Sequence, residues 1–213
     1  MKTLLDYFAL YNKKIFPMQV ITLIVAIVLV FLVFILPGAA TTLLMKLYLS
    51  LTFGWIGIAY LFMMGDMKKT LPFTAIATGI TCLAVAILFL VDVFSTKRVY
   101  EFPPASWQLY LSLLLMVWGW ILYPLSSLLV GHRYPRVPLY GVVLCPTTIF
   151  AIGFLTAVVS NQPEMIALST LSVMAVVAAA RAAIKGYDGE RVYEDFALLA
   201  SGIYGLARWL MLH

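Results

Sequence analysis

Six polar side chains near the middle of this 213-residue chain, Tyr123, Ser126, Ser127, Cys145, Thr147 and Thr148, bracket two prolines, Pro124 and Pro146. A proline within a helix has no amide hydrogen and crowds the carbonyl four residues earlier, here on Trp120 and Val142. Pro124 lies seven residues before Gly131, and Pro146 lies eight after Pro138. In two antiparallel helices joined through Gly131–Arg136, both prolines would therefore kink the backbone about 10–12 Å from the same helix ends. Freed carbonyls, hydroxyls and a thiol at one depth would suit a cation or a small polar solute, as broken helices do in transporters. The plainer alternative is a pair of kinks stabilised by Ser and Thr, with small polar residues packing one helix on another.

A second constellation gathers charge. Lys46, Asp92 and Arg208 each lie near the end of an apolar stretch, close to a loop carrying Lys97, Arg98 and Glu101. They would form a salt-bridged lid or vestibule, or simply interfacial charges in contact with water. At the opposite ends, His132, Arg133 and Tyr134 form a polar turn, and Arg181 is placed to pair with Glu194 or Asp195. The centres of the apolar stretches read as uncharged, which argues against a proton pump.

Catalytic and cofactor templates find little support. Ser126 and Ser127 have no histidine at their depth for a Ser-His arrangement. The His-Glu-x-x-His zinc motif and the Walker phosphate loop do not occur. Cys82 and Cys145 belong to no Cys-x-x-Cys pair, so thiolate metal capture is not expected. The two histidines, His132 and His213, lie outside the apolar stretches, which excludes a transmembrane bis-imidazole haem. The last stretch offers Arg208 but no lysine for a retinal Schiff base. We expect no enzyme, no cofactor and no metal.

The elements that must position these residues follow from composition. With 64% hydrophobic and 11% charged residues and a mean hydropathy of +1.03, the chain is far from the roughly one-quarter charged composition of soluble domains. It reads as one all-α, polytopic membrane domain. A crossing helix needs about 20 apolar residues. Seven stretches qualify, near 18–36, 43–64, 70–91, 107–130, 138–160, 165–184 and 193–211. Residues 1–16 show Leu4, Leu5, Phe8 and Tyr11 at helical spacing, which suggests a short amphipathic helix on the membrane surface rather than a cleavable signal.

Lys2, Lys13, Lys14, Lys68, Lys69, Arg133, Arg136, Lys185 and Arg191 all fall on the side of the amino terminus. That asymmetry places the amino terminus in the cytoplasm and, with seven spans, the carboxyl terminus outside. The formal charge of +5 is spread over these loops, where it meets anionic lipid. It does not gather into the basic face that nucleic acid requires. Trp107, Trp118, Trp120, Tyr123, Tyr134 and Tyr140 read as an aromatic belt. A parallel three-helix repeat is hinted at only by Lys13-Lys14-Ile15-Phe16-Pro17 and His132-Arg133-Tyr134-Pro135.

The run Gly131-His132-Arg133-Tyr134-Pro135, continuing through Pro138-Leu139-Tyr140-Gly141 to Cys145-Pro146-Thr147-Thr148-Ile149-Phe150 and Gly153, resembles the signature of an uncharacterised bacterial integral-membrane family. Tyr11-Asn12, Phe16-Pro17 and Gln19 are similar to that family's opening. The resemblance covers the whole length and implies a helical fold and an inner-membrane location; members are sometimes labelled permeases. Two functions follow as expectations. One is a small-solute or ion permease with its site at the kinked fourth and fifth spans. The other is a non-transporting subunit or scaffold that binds lipid, a membrane partner or a second copy of itself. A sensor of an apolar or lipidic ligand is a third reading.

Overall fold

The computed structural model describes residues 4–63, 72–95, 98–158, 161–185 and 195–212. Among them the chain is helical, and we number the helices in order. α1 covers Leu4–Ile15 and α2 Met18–Ile35. α3 covers Ala39–Ile58 and continues into a π-helical turn, Ala59–Met63. α4 covers Pro72–Ser95. α5 runs Trp107–Leu129 with a π-helical turn, Trp118–Leu122, inside it. α6 covers Leu144–Val158, α7 Gln162–Lys185 and α8 Asp195–Leu212. Of the expected features, Lys2, Lys68, Lys69, Lys97, Arg191, Glu194 and His213 lie outside the described residues, as does the end of the second stretch at Met64.

Six of these helices, α2 to α5, α7 and α8, are long and apolar enough to cross a membrane, which corrects the expected seven. The difference is the stretch 138–160. Its helix has only 15 residues, about 22 Å against roughly 30 Å of hydrocarbon. Residues 137–143 instead form a turn that is buried almost throughout. Gly141, at φ +76°, permits the reversal, and a methyl group there would run into the Thr22 hydroxyl. Irregular backbone can lie inside such a bundle because its polar groups find partners. The Gly141 amide donates to Thr147 Oγ1 (2.9 Å), Val143 N–H donates to Leu139 O (3.1 Å), and Thr22 Oγ1 lies 3.4 Å from Tyr140 O. Pro146 consequently sits in the first turn of α6, where a missing amide leaves no helical bond unmade. It occupies a helix start and not the helix interior in which a kink was expected.

α6 need not reach both membrane faces because protein surrounds it. Thirteen of its fifteen residues are buried. It runs antiparallel to α5. Near one end Gly119 meets Pro146 and Phe150; near the other Gly153 meets Ser112 and Met116, and Ser112 Oγ is 3.0 Å from Thr156 Oγ1. At Pro124 the helix departs from regular α geometry. The turn before it opens to a π form, with Tyr123 N–H bonded to Trp118 O five residues back. A wider turn accommodates a proline ring that would otherwise crowd the Trp120 carbonyl.

α1 has the expected amphipathic periodicity, but its apolar face is covered by protein. Leu5, Tyr7, Phe8, Tyr11 and Ile15 are all buried. Asn12 explains the attachment: its side-chain amide donates to Pro135 O (2.8 Å) and Val137 O (2.9 Å). Gln19 in turn donates to Asn12 O at 2.8 Å, and Arg136 pairs with Asp6 at 2.7 Å. The helix expected to lie on lipid is thus bound to the turn between α5 and α6.

Candidate functional site

The hydroxyls singled out around the two prolines mostly bond to nearby backbone or to other helices. Ser126 Oγ bonds back to Tyr123 O (2.8 Å), whereas Ser127 Oγ lies 3.0 Å from His132 Nδ1, which corrects the expectation that no histidine reaches the two serines. Thr147 accepts the Gly141 amide and donates to Val143 O at 2.7 Å. Cys145 is half-buried. Thr148 Oγ1 is buried and makes no hydrogen bond among the described residues. The Tyr123 hydroxyl reaches across to Asp195 Oδ1 at 2.6 Å, tying α5 to the first turn of α8. His132, Arg133 and Tyr134 line a polar cleft against α1 with Asp6 and Lys13. The polar atoms of this region mainly hold an irregular turn and a helix start in place.

Chemistry concentrates at the opposite end of the bundle. Lys46 enters from the second turn of α3, about 10 Å beyond its start. Its Nζ lies 2.7 Å from Asp92 Oδ2, near the end of α4, and 4.0 Å from Glu164 Oε1, in the first turn of α7. The three side chains are 2%, 0% and 1% exposed, so these charges sit in protein and not in interfacial water. Of the two readings given for Lys46 and Asp92, the salt bridge is the one observed, and the expectation of solvated charges at helix ends is corrected. Arg208, the third member expected there, turns to α6, its Nη2 donating to Thr156 O at 3.4 Å.

Local sequence explains how each group is held. Asn161 caps α7, its Oδ1 accepting the Glu164 amide at 3.1 Å. That cap fixes Glu164 in the first helical turn, where the helix dipole favours a carboxylate. Thr42, one turn before Lys46, accepts the Tyr100 amide at 2.7 Å and draws the 98–106 segment down over the cluster. Tyr100 then stacks under the ammonium, 5.3 Å from ring centroid to Nζ, at a distance suited to a cation–π contact. Its ring meets Phe154 of α6 edge-on at 5.3 Å, and Phe102 meets the same phenylalanine at 6.1 Å. Burial first, then the nearby charges of Glu164 and Asp92, hold the Tyr100 hydroxyl well above its ordinary pKa. The phenol is therefore neutral and can only donate or accept a hydrogen bond at physiological pH.

Glu164 and Tyr100 are the two members that sequence reading missed. Glu164 lies just before the apolar stretch that begins at Met165, and Tyr100 lies in a loop. The one local signal was Asn161-Gln162-Pro163-Glu164, a cap residue followed three positions later by an acid. The arrangement can hold or exchange a positive charge. One ammonium between two carboxylates sums to −1 when all are ionised, and oxygen ligands of this kind suit a proton or a small cation. Among the described residues, no three His, Cys, Asp or Glu side chains form a metal-binding set.

A family described as of unknown function, DUF6064, matches residues 1–212. The chain belongs to DUF6064. No curated protein and no solved structure matches it. Membership therefore brings no activity with it. What the family match and the six apolar helices support together is a membrane protein of unknown function. Any narrower reading rests on the buried cluster.

Proposed function

We propose that this protein is a small carrier or channel in the plasma membrane whose working element is the Lys46–Asp92–Glu164 cluster. Its activity is permeation of an ion or a small solute, with a proton or monovalent cation engaging the two carboxylates. The observation that carries this reading is a single ammonium shared by two carboxylates, all at most 2% exposed, within a bundle of apolar helices. Burying charge away from water is costly, and ionisable groups inside membrane bundles commonly mark ion pathways. The basic loops support an amino terminus in the cytoplasm. On that orientation the cluster sits toward the outer face, under the 98–106 segment. The reading assigns the chain no catalytic step and no cofactor.

A second reading, a non-transporting subunit or scaffold, draws on the hydroxyls near the prolines. Ser126 and Thr147 bond to their own local backbone, as purely structural groups do.

Flux measurements separate the two. In vesicles of phosphatidylethanolamine and phosphatidylglycerol loaded with a pH-sensitive dye, the wild-type protein should carry protons or Na+ above the rate of empty vesicles under an imposed potential. Glu164→Gln keeps the side-chain shape and should lower that rate at least about tenfold, the equivalent of roughly 1.4 kcal/mol. The triple variant Lys46→Met, Asp92→Leu, Glu164→Leu removes the charges together and so avoids stranding one of them. It should fold and carry nothing. Flux unchanged in the triple variant would reduce the cluster to a structural role, and no wild-type flux of H+, Na+ or K+ would favour the scaffold.

A further inference from the structure

α1 and the Gly131–Arg136 turn enclose a cleft of about 640 Å³ at the end of the bundle away from Lys46. α1 contributes Asp6, Leu10 and Lys13, which recur at helical spacing and share a face distinct from the buried face of Leu5, Phe8 and Tyr11. The turn contributes Arg133, Tyr134 and Arg136. Asn12, bonded to Pro135 O and Val137 O, holds the two walls together. Their charges do not cancel. Arg136 pairs with Asp6 at 2.7 Å, whereas the side chains of Lys13 and Arg133 are exposed and make no ion pair or hydrogen bond among the described residues. Lys13 and Arg133 therefore leave the cleft with positive charge in excess, one cation on each wall. Apolar surface surrounds them: Leu10 is 54% exposed, Tyr134 53% and Phe16, just after α1, 63%. α2 begins at Met18 and α5 ends at Leu129, so the cleft lies level with the ends of two helices long and apolar enough to cross a membrane.

We propose that this cleft binds the headgroup of an anionic phospholipid, its phosphate held between Lys13 on one wall and Arg133 on the other. Charge complementarity selects an anion, because both cations lack a counter-charge within the chain. Phosphate fits the pair well: a guanidinium can bind two of its oxygens at once, and an ammonium adds a compact point charge. Leu10, Phe16 and Tyr134 select the source of that phosphate. A soluble phosphate would leave these apolar side chains in water, whereas the glycerol backbone and acyl chains of a lipid cover them. A zwitterionic lipid carries its own cation and gains less from the excess positive charge. The Lys46 cluster lies at the other end of the bundle, and occupancy of the cleft does not depend on the carrier reading.

Native mass spectrometry of the full chain in mild detergent tests the proposal, with phosphatidylglycerol or phosphatidylcholine added at equal concentration. Wild-type protein should retain phosphatidylglycerol roughly twentyfold more than phosphatidylcholine, the effect of two basic side chains at a membrane surface. Lys13→Gln and Arg133→Gln should each lower that preference about fivefold, and the double variant should erase it. Lys14→Gln supplies the control. Lys14 is also exposed, but it is turned about 100° round α1 from Lys13, so its loss should leave the preference intact. Equal retention of the two lipids by wild type would overturn the proposal, as would an unchanged preference in the double variant. A loss in Lys14→Gln equal to that in Lys13→Gln would make the effect one of diffuse surface charge and overturn it too. Glycerol 3-phosphate, which has the phosphate without the acyl chains, should not displace bound phosphatidylglycerol when equimolar with it; displacement would assign the cleft to a soluble phosphate and overturn the lipid. If Arg133→Gln fails to fold, the contrast between Lys13→Gln and Lys14→Gln still decides the matter.

Discussion

Thr147 and Thr148 are neighbours of the same type, both fully buried, and they carry opposite consequences. Thr147 Oγ1 accepts the amide of Gly141 and donates to Val143 O, so Thr147→Val strands a buried N–H. Leaving such a donor unsatisfied costs about 1–3 kcal/mol. Thr148 Oγ1 makes no hydrogen bond among the described residues, so replacing its hydroxyl with a methyl relieves a desolvated polar atom. Thermal unfolding in detergent should therefore show Thr147→Val clearly destabilised and Thr148→Val equal to wild type or more stable. Equal losses in the two variants would mean that Thr148 also serves as an acceptor or donor. The same contrast explains why residue type alone misleads here. A hydroxyl near a proline looks like a ligand until its partner is known, and at Thr147 and Ser126 the partner is the chain itself.

At the scale of the element, α6 decides the architecture. Its fifteen residues are too few to cross hydrocarbon, so it depends on its neighbours for an apolar surround and for the partners of the turn before it. The closest approach is at Gly119, in the π turn of α5. A Cβ at that position would lie 2.5 Å from Pro146 O and 2.8 Å from Phe150 N, both backbone atoms that cannot swing aside. In an unconstrained helix alanine is better than glycine by about 1 kcal/mol. Here we expect the sign to reverse, with Gly119→Ala destabilising by about 1–3 kcal/mol through overpacking. A denaturation midpoint above wild type would show that α5 and α6 are less tightly apposed. The proline-driven π turn and this glycine act together: one bends the helix, the other lets the bent segment meet the start of α6.

For the molecule as a whole, the amino-terminal helix is part of the fold rather than an appendage. Asn12 is fully buried and bonds to two carbonyls of the segment between α5 and α6, while the Asp6–Arg136 pair is about half in solvent. Exposed pairs contribute at most about 1 kcal/mol. Asn12→Ala should therefore release α1, seen as faster hydrogen exchange across residues 4–15 and earlier proteolysis there. Arg136→Ala should change neither by much. If both variants behave alike, the attachment rests on the apolar face of Leu5, Phe8 and Tyr11 and not on Asn12. Because α1 covers the Gly131–Arg136 turn, its release also bears on the cleft that His132 and Arg133 line.

Composition by itself pointed to an apolar solvent, since 11% charged residues is far below what soluble surfaces of this size carry. Runs of apolar residues located six long helices, and the pattern Leu5, Phe8, Tyr11 marked α1 as two-faced. These are local sums over neighbouring residues, and any environment of the right polarity satisfies them. What covers α1, how far α6 extends and which charges are buried depend on distant segments. Lys46, Asp92 and Glu164 are 46 and 72 positions apart in order along the chain, and each alone reads as a charge near a helix end. Only the packing of α3, α4 and α7, with Tyr100 drawn across them, turns three such charges into one desolvated group. Likewise Pro146 reads as a kink until Gly141 and Thr147 close the turn that makes it a helix start. Hydropathy records how much a residue favours leaving water, and the tertiary structure alone decides which partner it finds there.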